Sequence, residues 1–141
     1  MSTNEILDAF AMLRKELGLI RAAELKAFDF GPTQMLILFQ LSRSTATMGE
    51  LAEYALVDKA AMTRVVASLE KSGLVKRFTH ETDLRITVIE LTTKGKAKAR
   101  EAEIIRENIG KKVNSTLSTE ERKELTRLLT KAATVLCKKR N

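Results

Sequence analysis

Residues 47–95 narrow the possible folds of this chain more than any other stretch. Asp58 stands just before a run in which Met62, Val65, Val66 and Leu69 recur at helical spacing. An aspartate there can accept the free backbone N–H groups of a first helical turn. Gly73 follows, where helices commonly close through a left-handed residue, and Leu74 can fold back on Leu69 in a Schellman closure. Residues 75–79 and 86–91 are then short and rich in β-branched and apolar side chains, with six residues between them. That spacing predicts a hairpin with a longer loop.

Upstream, Ile6, Phe10, Leu13, Leu17 and Ile20 form one helical stripe, predicting a helix over residues 3–27. Ser2 and Glu5 have capping-box spacing at its start. Gly31-Pro32 breaks the chain, and Pro32 suits the first turn of a new helix carrying Met35, Leu36, Leu38, Phe39 and Leu41. Thr47 and Glu50 form a second capping-box pattern, opening a short helix with Leu51, Ala52 and Ala55 turned inward. Beyond the hairpin, Thr92 caps a helix running to about Val113, with Gly95 allowing close approach to a neighbour. Ser118 and Glu121 repeat the capping box before a last helix with Leu125, Leu128, Leu129, Ala132, Val135 and Leu136. The expected class is mainly α with a small β-hairpin, in the order α-α-α-α-β-β-α-α.

Composition narrows the function. No apolar run approaches the roughly 20 residues that span a bilayer, and the N-terminal residues lack the pattern of a secretory signal. The expectation is a cytoplasmic protein without a membrane partner. One cysteine, Cys137, and one histidine, His80, leave little for a disulfide framework or a metal site, so no metal or cofactor is expected. The net charge of +7 points to a polyanion, although residues 1–57, 58–95 and 96–141 contribute −2, +2 and +7. Most of the excess therefore lies outside the capped helix and hairpin, and charge alone is a weak guide.

The side chains of residues 58–91 are more informative. With the apolar stripe facing inward, Ala60, Arg64, Ala67 and Lys71 lie on the outer face of the helix, flanked by Thr63 and Ser68. Small residues let a backbone sink into the major groove of DNA, while Arg64 and Thr63 can reach base edges or phosphates. Residues near a helix start usually meet the bases, so Lys59, Ala60, Thr63 and Arg64 rank above Lys71. The hairpin tip runs His80-Glu81-Thr82-Asp83-Leu84-Arg85. An arginine on a narrow projection suits the minor groove, and Asp83 is placed to hold the tip or orient Arg85 by a charge-assisted hydrogen bond. Helix, turn, helix and hairpin in this order are a winged helix-turn-helix. The bland alternatives are an amphipathic helix with a solvated face and a surface hairpin with an incidental ion pair.

These residues resemble the multiple-antibiotic-resistance-regulator (MarR) family of bacterial transcription factors over nearly the whole chain. The likeness runs from Phe30-Gly31-Pro32-Thr33-Gln34 through Glu50-Leu51-Ala52, Asp58-Lys59-Ala60-Ala61-Met62-Thr63-Arg64 and Leu69-Glu70-Lys71-Ser72-Gly73-Leu74. It ends with Asp83-Leu84-Arg85 and Leu91-Thr92-Thr93-Lys94-Gly95. It implies one domain over 1–141, with a DNA-binding lobe over 30–95 and a helical dimerisation region from 1–29 and 96–141. It further implies a homodimer that reads a pseudo-palindromic operator in double-stranded DNA. Thr63 and Arg64 then fall on the recognition helix, Arg85 becomes the minor-groove arginine and Asp83 its support. A small aromatic or phenolic effector is also implied, with Phe10, Phe28, Phe30, Phe39 and Tyr54 as candidate pocket residues. Aromatic side chains at core spacing are nevertheless more often simply core.

The leading expectation is a sequence-specific dimeric regulator, most simply a repressor released by an effector. The alternative is a winged-helix architectural or protein-interaction module without sequence readout. An enzyme is the weakest reading, because the chain lacks a nucleophile elbow, a glycine-rich phosphate loop and a His/Cys/Asp cluster.

Overall fold

The computed structural model describes residues 3–29 and 31–141. Its elements are α1 (Glu5–Phe28), α2 (Pro32–Arg43), β1 (Ala46–Thr47), α3 (Met48–Ala55) and α4 (Lys59–Lys71), then β2 (Val75–Thr79), β3 (Thr87–Leu91), α5 (Thr93–Asn114) and α6 (Thr119–Arg140). The expected mainly α architecture with a hairpin is present. β1 is an addition: a two-residue strand directly before the Thr47 cap, too short to leave a periodic signal. It pairs antiparallel with β3, Ala46 opposite Ile89 and Thr47 opposite Val88. The sheet order is β1-β3-β2, and β2 meets β3 from Val75 opposite Leu91 to Thr79 opposite Thr87.

Local chemistry sets most element ends. α1 starts at Glu5 with Asn4 in the cap position, and the Ser2 half of the expected capping box lies outside the described residues. Asp29 closes the helix at φ 55°, its N–H donating to the Leu25 carbonyl. Pro32 takes the first position of α2, and Gln34 Oε1 accepts the Gly31 N–H at 3.3 Å. The side chain at N3 thus reaches back to the cap backbone although the cap residue has no side chain of its own. At α3 the capping box is reciprocal: Glu50 N–H donates to Thr47 Oγ1 at 3.2 Å, and Thr47 N–H to Glu50 Oε2 at 3.0 Å.

The described chain divides into two compact units, residues 1–106 and 107–141. In the first, α2 packs on α3, α4 and β3, and α4 packs on β2. Ile37, Leu38, Leu51, Met62, Val66, Leu69, Ile89 and Ile105 are fully buried there. Buried apolar area of this kind supplies the main driving force for folding. The second unit holds the end of α5, a short turn and α6, whose capping box pairs Ser118 with Glu121 at 2.9 and 3.1 Å. No residue of α6 is buried, and Leu125, Leu128, Val135 and Leu136 are exposed. Among the described residues, no helix is long and apolar enough to cross a membrane.

Candidate nucleic-acid interface

The putting in place of α4 begins at the turn before it. Leu56 closes α3 in the left-handed region at φ 56°, its N–H directed at the Ala52 and Glu53 carbonyls. Val57 N–H also donates to Ala52 at 3.1 Å. Asp58 then caps α4, its Oδ1 accepting the Ala61 N–H at 2.7 Å. Met62, Val66 and Leu69 anchor the inner face in the core. The far end closes as the sequence predicts: Gly73 has φ 75°, Leu74 N–H donates to Leu69, and Gly73 N–H to Glu70, both at 2.9 Å.

With its inner face buried, α4 turns Lys59, Ala60, Thr63, Arg64, Ala67, Ser68 and Lys71 to solvent. All but Lys71 belong to the set that the sequence assigns to DNA contact, and each is exposed. Thr63 is already engaged, since its hydroxyl donates to the Lys59 carbonyl at 2.8 Å. Its oxygen retains the capacity to accept, whereas Arg64 has only donors to offer. No large apolar side chain interrupts this face; Val65 sits on its margin, half-buried.

The hairpin tip is held by side chains rather than by its strands alone. Arg85 forks onto Asp83, Nε to Oδ1 at 3.0 Å and the terminal nitrogen to Oδ2 at 3.1 Å. Asp83 Oδ1 also accepts the Arg85 backbone N–H at 3.1 Å. One carboxylate thus bonds both the side chain and the backbone of Arg85. The side-chain bond from Arg85, then the backbone bond from Arg85, hold the Asp83 carboxyl below its ordinary range. Asp83 in turn pushes the guanidinium further up. The Arg85 side chain is still 91% exposed, so orientation costs it no access.

His80 does more than the sequence suggests. Its Nδ1 accepts the backbone N–H groups of Thr82 at 3.2 Å and Asp83 at 3.3 Å, with the Thr82 hydroxyl at 3.1 Å. The ring thereby acts as a local cap for the loop, and the i+2, i+3 spacing was the available signal. A second unforeseen contact joins the wing base to the helix: Arg77 Nε on β2 lies 3.2 Å from Glu70 Oε2 on α4. Twisting of the hairpin against α4 would break it.

Among the described aromatic candidates, Phe10 and Phe39 line different cavities. Phe10 is exposed and lines a space of about 300 Å³ with Leu7, Ala11 and Arg14, all on α1. Phe39 lines another, of about 520 Å³, between α2 and α5. Phe28 and Tyr54 border neither, and Phe30 lies outside the described residues. At Phe39 the ring is flanked by two guanidinium carbons, Arg43 at 4.8 Å and Arg106 at 4.4 Å from its centroid. Lys96 and Arg100 add charge to that cavity, and Glu103 is 3.6 Å from Arg106. Arg43 is four residues from Phe39 and legible as a helical neighbour; Arg106 is brought there by the fold. Among the described residues no cluster of metal-ligating side chains occurs.

The geometry has counterparts among known proteins. The model of the MarR family matches residues 30–87, the stretch from the start of α2 to the far side of the wing. A structure of a MepR-like protein with pseudoligands is 31% identical, covers 97% of this chain and 98% of its own, and superposes with a TM-score of 0.64. This chain belongs to the MarR family. Membership accords with the winged helix-turn-helix built by α3, α4 and the β2–β3 hairpin. Among other relatives, the HTH-type transcriptional regulator BilQ of Clostridium symbiosum is 35% identical over 82 residues. That stretch is 58% of this chain and 57% of BilQ, less than two thirds of the relative's length. A cysteine-to-serine mutant of MarR from E. coli, solved with operator DNA, is 25% identical, covers 92% of this chain and 96% of its own, with a TM-score of 0.76.

Proposed function

We propose that this protein is a homodimeric, sequence-specific repressor whose α4 enters the major groove while Arg85 enters the adjacent minor groove. The observation that carries the reading is the outward face of α4. Ala60 and Ala67 leave room for close backbone approach, and Thr63, Arg64 and Ser68 offer hydrogen-bonding groups beside them. The exposed, forked guanidinium of Arg85 supplies a second contact of the kind that a narrow minor groove attracts. A module for protein partners would place large apolar side chains on α4, and that face has none.

Dimerisation is supported by what a single chain leaves uncovered. Ile6, Leu7, Phe10 and Leu13 on α1 are exposed, as are Leu125, Leu128, Val135 and Leu136 on α6. Isolated exposed apolar residues are ordinary, but repeated ones at helical spacing mark an interface. A two-fold pair also presents two reading helices about 34 Å apart, as half-sites one DNA turn apart require. For release, the Phe39 cavity favours a small aromatic anion: an apolar ring edge beside Arg43, Arg100 and Arg106 can hold both a ring and a carboxylate or phenolate.

The test is binding to genomic fragments that the protein itself recovers, against an excess of random duplex. Preference for the recovered fragments supports the repressor reading; equal affinity for both selects the architectural alternative. Arg85→Ala should weaken binding and lower its salt dependence by about one phosphate equivalent while the dimer stays folded.

A further inference from the structure

The wing tip carries a side chain that the charge-based account leaves unused. Ile86 N–H donates to the Asp83 carbonyl at 3.1 Å, closing a four-residue turn with Leu84 and Arg85 as its central pair. The turn is held from every side. His80 N–H donates to the Ile86 carbonyl at 2.9 Å, the His80 ring accepts the Asp83 N–H, and Asp83 Oδ1 accepts the Arg85 N–H. An aspartate bonding the backbone two residues on is a strong turn former. Leu84 is 81% exposed on this fixed apex, between the two members of the Asp83–Arg85 fork. The other side chains of the tip, from His80 to Asp83 and Arg85, are polar or charged.

We propose that Leu84 is a specificity-determining residue, an apolar minor-groove contact that selects A·T over G·C pairs beneath the wing. The inference rests on the reading of the wing as a minor-groove element. A turn delivers its two central residues together, so a groove that admits Arg85 meets Leu84 as well. The minor groove is only about 6 Å wide, and its floor differs between pairs chiefly by the guanine 2-amino group. Against A·T the leucine methyls meet sugar walls and a floor without that projection. Against G·C they collide with the amino group and strip its water without offering an acceptor. Arg85 supplies attraction that depends on salt, and Leu84 supplies contact that does not. Apolar side chains already serve as wedges in this groove in other architectures.

The experiment uses the full-length protein and a duplex that the wild type selects from a random library, with the pairs under each wing located by footprinting. Those pairs are left A·T or replaced by G·C or inosine·C, which has guanine's pairing but lacks its 2-amino group. Wild type should bind the A·T and inosine duplexes alike and the G·C duplex about tenfold more weakly. Leu84→Ala should bind the A·T duplex about tenfold more weakly, with an unchanged salt slope and a reduced G·C penalty. Leu84→Met should retain both affinity and discrimination, and unfolding midpoints should match throughout because the side chain is exposed. If Leu84→Ala keeps wild-type affinity and discrimination while Arg85→Ala lowers the salt slope, the inference falls and the wing reading stands. A slope change in Leu84→Ala equal to that of Arg85→Ala also overturns it, since Leu84 would then only position the arginine. If Arg85→Ala changes nothing, the wing reading fails and takes the inference with it.

Discussion

Gly95 opens α5 directly against the carbonyl oxygen of Leu74. A Cβ added at Gly95 would collide with that oxygen and lie 2.9 Å from its carbon. The oxygen cannot retreat, because it accepts the Thr92 N–H at 3.0 Å. Thr92 completes the knot: its hydroxyl donates to the Gly73 carbonyl and accepts the Gly95 N–H at 3.0 Å. The end of α4, the end of β3 and the start of α5 are thus joined through a few backbone atoms. Gly95→Ala should therefore destabilise the fold by roughly 3 kcal/mol, lowering the unfolding midpoint by about 10 °C at fixed protein concentration. A shift of less than about 2 °C would show that the backbone yields, and the close approach would lose its structural meaning.

Leu56 should respond in the opposite direction. It holds φ 56° and its side chain is 89% exposed, so it bears a backbone cost with almost no burial to offset it. Left-handed geometry costs an ordinary side chain about 1–2 kcal/mol, and asparagine tolerates it better. Leu56→Asn is expected to raise stability by about 0.5–1 kcal/mol in denaturant unfolding with the slope unchanged. A loss of stability would mean that Leu56 is covered in the assembled protein.

For Asp83 the pH dependence has a definite sign. Its carboxyl is held below the ordinary value of 3.8, first by the Arg85 side chain and then by the Arg85 backbone. A lowered folded-state value means that the fork is fully present above 3.8 and is lost as pH falls through the depressed value. The Arg85 Nε–H resonance should accordingly stay sharp and protected from pH 7 down to about 5. Its disappearance while Asp83 is still ionised would show that the fork does not hold the guanidinium in solution.

On the reading helix, Arg64→Ala should cost about 1–3 kcal/mol of DNA-binding free energy if the guanidinium meets a base edge. The loss should relax preference at one symmetric position per half-site. A uniform loss over all sequences would make Arg64 a phosphate contact.

At Phe39, benzoate is a simple probe of the proposed anion site. It should raise the unfolding midpoint of the wild type, and Arg43→Ala with Arg106→Ala should abolish the rise. An equal rise in the double variant would place the anion elsewhere. Weakening of DNA binding by the same probe, absent in the double variant, would connect the cavity to release.

What residues within a turn or two do to one another was determined by the sequence itself. The Thr47/Glu50 and Ser118/Glu121 boxes, the Asp58 cap, the Gly73 closure and the Asp83–Arg85 fork all join positions no more than five apart, so spacing reveals them. Helical periodicity likewise marked Met62, Val66 and Leu69 as the buried face and so exposed Arg64 and its neighbours. Only the tertiary structure decided that Ala46 and Thr47 form a strand, because their partners in β3 lie some forty residues away. The same holds for Glu70 against Arg77, for Gly95 beneath Leu74 and for Arg106 over the ring of Phe39. Such contacts depend on how elements pack and not on local spacing, since a charge or a small residue on a helix face has many possible neighbours until burial of the core selects one.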